Sequence, residues 1–564
     1  MIRAYIRKLR SESNAVVSRA VFSVTPARST IVALAEAHAL IATSGDRRAM
    51  LGAIARYVSR ARRQFRRWLD GGESGAALAA ELLAGAGRLD DGRIWHGDQP
   101  FRSYVDVSVQ VKLVRIAIDV LAARDATQLV EPLQLAELLL DADRDSRVAL
   151  LVHAQLLLES GQTEAAIEAI RHALRVQAVC ITAQQMLFRA YELAREQGSR
   201  APELEALDYD LSDKFCPMPF THFSTGFRGS TFACTCPAWV PFPIGNVIEA
   251  ESADAIWNSG VAQEIRRSIL DGDFSYCSRT QCSFITARKL PRKVEVTTPQ
   301  LRDYIDNRVT RLEARPKMVE LNHDPTCNLA CPSCRTEIVA ASAEEIDVYA
   351  GAADRVIVPL LRGVEGQTYI TGGGEAFASK HFRSILRRLN RREFPGLEVF
   401  LISNGQLMTP HRWSEFPDLP EMLSIVSISV DAARAETYEV VRRPGKWAPL
   451  MKNLAYLAEM RRAGRIRRLG LNFVVQRANF REMLDFVQMA DGFSADHIWF
   501  QRVTNYGAYD EATFAGIDVT APTHPDHPEL LQILRNPALN RPIIQKDMLL
   551  SLTPESEERF EYLY

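Results

Sequence analysis

Between residues 318 and 502, six runs rich in β-branched and large apolar residues alternate with segments of helical periodicity; the runs are 318–321, 368–371, 399–403, 426–430, 469–475 and 497–502. Between them, 381–391 and 450–463 place apolar residues three and four apart, the spacing of a helix that buries one face. Strands that recur only after a helix-length crossover pair in parallel, since an antiparallel partner is reached by a short turn. Six such units predict a partial TIM-type (β/α)6 barrel with its functional residues at the carboxyl ends of the strands. The informative polar motifs of the chain fall at those ends.

Cys327-Asn-Leu-Ala-Cys331-Pro-Ser-Cys334 follows the first run. Thiolates spaced in this way can ligate three irons of a [4Fe–4S] cube and leave the fourth without a protein ligand. The alternative is a structural zinc, with His323 joining the three thiolates to complete a tetrahedron; zinc ligands usually come from two separated pairs, so one compact loop favours iron–sulfur. Thr371-Gly372-Gly373-Gly374-Glu375 follows the second run, Ser403-Asn404-Gly405 the third, Ser429-Val430-Asp431 the fourth, and Gln476 the fifth. Each alone reads as strand-end punctuation. Four in order, after successive strands and the cysteine loop, do not arise by chance. Glycines let backbone carbonyls approach a ligand closely, and Glu375 supplies an acceptor for an ammonium.

These motifs resemble those of the radical S-adenosylmethionine (SAM) superfamily over roughly residues 316–506. The resemblance implies that Cys327, Cys331 and Cys334 hold a [4Fe–4S] cluster whose open iron chelates the amino and carboxylate groups of SAM. It implies further that Gly373, Gly374 and Glu375 meet the methionine amino group, with Ser403, Asn404, Ser429, Asp431 and Gln476 as the other SAM contacts. An electron from a donor such as flavodoxin or ferredoxin would release methionine and a 5′-deoxyadenosyl radical that abstracts a substrate hydrogen. The position before the last cysteine, often aromatic in the family, is Ser333 here, which leaves adenine to backbone groups. No residue is assigned to chemistry on the substrate.

Residues 208–295 form a cysteine-rich segment in which Pro217, Pro219, Pro237, Pro241 and Pro243 with Gly226, Gly229 and Gly245 forbid long regular elements. Cys216, Cys234-Thr-Cys236, Gly245-Asn246, Ile256-Trp257-Asn258-Ser259, Cys277 and Cys282 follow the landmarks of the auxiliary-cluster domain called SPASM, or its shortened twitch form. In most relatives that domain follows the barrel, whereas here it precedes it. The resemblance implies a second [4Fe–4S] cluster on Cys216, Cys277, Cys282 and one of Cys234 or Cys236, with a zinc site on the same four thiolates as the alternative.

Residues 1–207 are rich in Ala, Leu, Arg and Glu and read as all-helical. Ala154, Leu157, Gly161, Ala166, Ile170 and Ala173 fall where a tetratricopeptide-like (TPR-like) repeat, from about residue 130, puts its packing residues; an irregular bundle is the alternative. Cys180 reads as an inert core thiol. The basic start (Arg3, Arg7, Lys8, Arg10) has the look of a transit peptide, but helical patterning continues beyond it and favours an ordinary basic helix. The basic run Arg56, Arg60, Arg62, Arg63, Arg66 and Arg67 around Phe65 and Trp68 is expected to be a solvated face. A net charge of −1 points to neither nucleic acid nor an anionic membrane, and no run reaches the length of a membrane span. Clustered cysteines outside any disulfide framework favour metal and a reducing, cytoplasmic setting.

Together these features predict a multidomain chain: the α-helical region, the small irregular cysteine-rich domain, an α/β partial barrel over 296–520, and a tail over 521–564 with no clear core pattern. The helical region is expected to hold a peptide, carrier or protein partner. A non-catalytic iron–sulfur or zinc-binding scaffold protein is the reading from another class, and it has no need of motifs after successive strands.

Overall fold

The computed structural model describes residues 131–176, 180–198, 209–279, 282–506, 508–546 and 549, with scattered helical positions between 67 and 118. The basic start and, apart from Arg67, the basic run at 56–68 lie outside the described residues. The chain divides into two compact units, Met1–Glu205 and Ala206–Tyr564.

Described residues of the first unit form helices α1 (Pro132–Ala142), α2 (Arg147–Glu159), α3 (Thr163–Val176) and α4 (Ile181–Glu196). Proline opens α1, where its missing N–H costs nothing, and the Ser146 hydroxyl caps α2 by accepting from Ala149 N at 3.3 Å. Ala154 and Leu157 on α2 and Ala166, Ile170 and Ala173 on α3 are buried, as are Leu187 and Tyr191 on α4. Cys180, also buried, stands at the N-cap of α4.

The second unit is built on one ten-stranded sheet. Strands β4 (Met318–Leu321), β5 (Gly366–Ile370), β6 (Leu397–Ser403), β7 (Leu423–Ser429), β8 (Leu469–Val475) and β9 (His497–Arg502) pair in parallel and in chain order. With helices α6 (Lys380–Arg388), α7 (Trp447–Arg462) and α8 (Met483–Gly492) between them, this arrangement fits an α/β partial barrel. Alternation along each strand sets its two faces. Val319, Leu321, Ile370, Val399 and Leu401 are wholly buried in one core with Phe382, Ile385 and Leu454 of the helices, while Glu320 and Tyr369 face the other way and stay half-buried.

The cysteine-rich segment is more regular than its proline content predicts. Strand β1 (His222–Thr225) lies parallel to β4, and β2 (Ser230–Phe232) and β3 (Gly245–Asn246) extend the same sheet antiparallel. The segment also holds α5 (Gly260–Asp271), capped by Ser259 and ended by Gly272 at φ +85°, where a Cβ would stand 2.5 Å from the Ser212 carbonyl oxygen. The prolines cluster before 244 and leave 260–271 free to coil. Trp257 and Asn258 fasten the connector to the barrel: Trp257 Nε1 donates to the Ala314 carbonyl at 3.0 Å and Asn258 Nδ2 to the Leu312 carbonyl at 2.9 Å. Buried Arg266 lies over the Trp257 ring at 4.3 Å and donates to the carbonyls of Pro219 and Thr310; burial pushes its pKa down to about 9.

The tail also enters this core. Strand β10 (Ile544–Gln545) pairs in parallel with β9, and Leu530, Leu534, Leu539 and Ile544 are buried. Its apolar residues are spread over short elements separated by prolines, so they show no periodicity in the sequence. No helix among the described residues is long and apolar enough to cross a membrane.

Candidate active site

The loop after β4 carries Cys327, Cys331 and Cys334, and each thiol sulfur receives at least one N–H. Leu329 N reaches Cys327 at 3.4 Å, Arg442 Nη1 reaches Cys331 at 3.7 Å, and Arg335 Nε reaches Cys334 at 3.4 Å. Burial pushes the Cys327 thiol up to about 11 against the pull of Arg335, and burial raises Cys331 against the pull of Arg442. Thiolates here therefore need a cationic centre to be tenable.

Strand-end residues converge on the same loop. Glu375, at the end of the glycine run, is fully buried. Its Oε1 accepts from the Ser403 hydroxyl at 2.9 Å and from Phe377 N at 3.1 Å, and its Oε2 accepts from Asn404 N at 2.7 Å. With no exposed surface and both oxygens engaged, the carboxylate braces the ends of β5 and β6. Burial raises its pKa against these hydrogen bonds. Asn404 reaches further, its Nδ2 standing 3.8 Å from Cys327 Sγ and 2.9 Å from Asn328 Oδ1. One side chain thus touches the cysteine loop while its backbone holds Glu375.

The glycine run lies against the loop. Arg335 donates to the carbonyls of Pro325 at 2.7 Å and Gly373 at 2.8 Å, and Glu375 N donates to the Thr326 carbonyl at 2.8 Å. Gly374 is sterically required, since a Cβ there would stand 2.5 Å from the Asp324 carbonyl oxygen and 2.9 Å from that of Thr326. Gly373 has slightly more room, 3.2 Å to the Asn322 carbonyl oxygen.

After β7, Ser429 is half-buried and Asp431 buried at φ +62°. Asp431 Oδ2 pairs with Arg442 Nη2 at 2.6 Å, and Oδ1 accepts from Val474 N at 2.8 Å. Burial pulls the Arg442 pKa down, and Asp431 and the Cys331 thiol more than offset it, so the guanidinium is held above its ordinary value. Gln476, past β8, is buried, and its Nε2 has no hydrogen-bond partner among the described residues. His323 is wholly buried with both ring nitrogens engaged, Nδ1 with Thr225 Oγ1 at 3.0 Å and Nε2 with His381 Nε2 at 2.8 Å. It does not join the three thiols as a fourth ligand.

The second group of cysteines surrounds a small cavity. Cys216, Cys234, Cys277 and Cys282 line it together with Trp239 and Phe284, whose rings meet edge-on at 5.8 Å. Cys236 does not line it; its thiol meets the backbone N–H groups of Ala238 and Trp239 and lies near Glu320. Burial pushes Cys216 up to about 12 and holds Cys234 and Cys277 far above the usual thiol range.

Sequence reasoning missed Arg335 and Arg442. Arg335 follows the last cysteine directly, but nothing in the spacing marks Arg442, which lies 111 residues from the thiol it touches.

Residues 321–489 match the model of the radical SAM superfamily, and residues 216–283 match that of the SPASM iron–sulfur cluster-binding domain. The chain carries a SPASM domain followed by a radical SAM domain. None of the curated proteins matches it. Among solved structures, Streptococcus suis SuiB bound to precursor peptide SuiA aligns at 13% identity over 54% of this chain and 66% of SuiB, with a TM-score of 0.31. The anSMEcpe enzyme with bound AdoMet and Kp18Cys peptide aligns at 19% identity over 33% of this chain and 52% of its own, with a TM-score of 0.25. The chain thus spans just under two thirds of SuiB in that structure and about half of anSMEcpe.

The cofactors of this SPASM and radical SAM pair are [4Fe–4S] clusters and SAM. The residues present fit these groups: two sets of buried and half-buried thiols, a glycine run packed tightly on the cysteine loop, and an orphaned buried donor at Gln476.

Proposed function

We propose that this protein is a radical SAM enzyme that reductively cleaves SAM and abstracts hydrogen from a peptide or carrier-linked substrate. The observation that carries the reading is Asn404, which contacts both the Glu375 carboxylate and the Cys327 thiol and so joins the motifs after β5 and β6 to the cysteine loop in one site. A scaffold protein has no use for that convergence.

Cys327, Cys331 and Cys334 would hold the SAM-binding cluster, and Cys216, Cys234, Cys277 and Cys282 the auxiliary one. When bound, the first cluster and SAM supply one-electron cleavage to methionine and a 5′-deoxyadenosyl radical. The chain's own residues position and tune. N–H groups of Leu329, Arg335, Asn404 and Arg442 aimed at the three sulfurs stabilise negative charge there, the means by which a protein sets cluster potential. Backbone groups of Gly373 and Gly374 offer close approach to the methionine end of SAM, with Glu375 and Ser403 holding the strand ends in register. Among the described residues the Ser429 hydroxyl and Gln476 Nε2 have no hydrogen-bond partner and are suited to ribose or carboxylate. A flavodoxin- or ferredoxin-like donor would supply the electron, and the helical unit would engage a partner.

The test is anaerobic reconstitution followed by dithionite and SAM. Brown protein and 5′-deoxyadenosine by mass spectrometry are expected, with the nucleoside absent for Cys331→Ala. Colourless protein without that product, or a Cys331→Ala variant that still makes it, refutes the reading.

A further inference from the structure

Glu320 stands out among the carboxylates of the sheet. It is the penultimate residue of β4, seven positions before Cys327, and it points to the face opposite the helix-packed Val319 and Leu321. Its two oxygens meet only neutral donors from the SPASM segment: Thr235 Oγ1 at 2.7 Å to Oε1 and Ser224 Oγ at 2.8 Å to Oε2. Among the described residues no Arg, Lys or His pairs with it. Glu398, on the same face of β6, shows the ordinary solution, being paired with Arg391 at 2.7 Å and Arg467 at 3.1 Å. Burial raises the Glu320 pKa against the two hydroxyl hydrogen bonds, as expected of a carboxylate lacking a counter-charge. The residue as a whole stays half-buried.

Its surroundings have a definite chemistry. Tyr369 lies directly across from it on β5 in the strand register, and Phe400 follows on β6. The two rings are 4.3 Å apart between centroids and tilted by 39°. A carboxylate beside two aromatic faces suits an ammonium or guanidinium on an aliphatic stem: the charge meets the carboxylate and the rings' negative faces, and the stem packs on carbon. A neutral or acidic group would leave Glu320 uncompensated and pay desolvation without return.

We propose that Glu320, with the Tyr369–Phe400 wall, receives a cationic side chain of the substrate and so selects the segment presented to the strand ends. The inference rests on the radical SAM reading and adds a substrate class to it. Because Thr235 lies between Cys234 and Cys236, this recognition point joins the barrel to the SPASM segment.

The experiment uses the full anaerobically reconstituted protein with SAM and no reductant. Three blocked tripeptides, Ac-Ala-Xaa-Ala-NH2 with lysine, Nε-acetyl-lysine or norleucine at the centre, are titrated by saturation-transfer NMR. Lysine should bind about tenfold tighter than either neutral analogue, and Glu320→Gln should remove that preference. Iron content and circular dichroism establish that the variant is folded; should it fail to fold, the lysine-to-norleucine ratio on the wild type decides alone. Equal or undetectable binding of the lysine peptide, or a preference that survives in a folded Glu320→Gln, overturns the proposal. Wild-type SAM cleavage on the same preparation separates the two claims: cleavage without lysine preference ends this inference alone, and no cleavage ends the reading beneath it.

Discussion

Asp431→Asn isolates one charge at the centre of the site. Asparagine tolerates the φ of +62° found there, and its Oδ1 can still accept from Val474 N, 2.8 Å away in the wild type. What it loses is the carboxylate oxygen 2.6 Å from Arg442 Nη2. The pair is well shielded, with side-chain exposures of 14% for Arg442 and 4% for Asp431, so the variant leaves a cation largely buried without its partner. Such losses cost about 3–5 kcal/mol, and the residual exposure of Arg442 points to the lower end, about 3 kcal/mol. Arg442→Met alone strands the opposite charge and should cost a similar amount. The double variant strands neither, so it should fall short of the sum by about 2 kcal/mol or more. Anaerobic urea unfolding followed by tryptophan fluorescence measures all three. A single-variant loss below about 0.5 kcal/mol, or simple additivity, would refute the view that this pair pins the β7 end to the cysteine loop.

Three further outcomes follow from the same geometry. Cys234→Ala should lower iron per chain by about half, as the loss of one of two clusters requires, whereas Cys236→Ala should leave it unchanged; equal effects would contradict the cavity's choice of thiol. Gly374→Ala should abolish SAM binding measured by equilibrium dialysis, because the new methyl collides with the carbonyls of Asp324 and Thr326; wild-type affinity would show that the cradle yields. Burial pushes His222 down to about 4 from an ordinary 6.5, so the unfolded chain binds a proton there that the folded chain refuses. Its contribution is therefore complete above pH 6.5 and is lost as pH falls toward 4, about 3 kcal/mol in all. His222→Phe should flatten the stability profile in that window, and an unchanged slope would reject the assignment.

Much of the site is visible in one dimension because its parts are local. Three cysteines within eight residues share a loop whatever surrounds them, and a glycine run after a strand presents backbone wherever the strand lies. The periodicities also carry, as the six runs form β4 to β9 in order. The tail and the SPASM strands are not legible in the sequence because short elements broken by proline give no period to count, and their pairing partners lie far away along the chain. For a related reason a Gly-Gly-Glu pattern places Glu375 at a strand end but does not say which way its carboxylate turns. Burial and the donors of Ser403 and Asn404 decide that.

Spacing alone marked the two thiol groups as metal sites, since ligation depends on thiols held a few bonds apart along the chain, and the motifs' resemblance to a family added SAM. Only folding could choose Cys234 over Cys236 at the cavity, bring Arg442 to Cys331, and leave Glu320 beside an aromatic wall without a counter-charge among the described residues. Those are contacts between residues tens to more than a hundred positions apart, fixed by strand register and side-chain packing, and no local pattern encodes them.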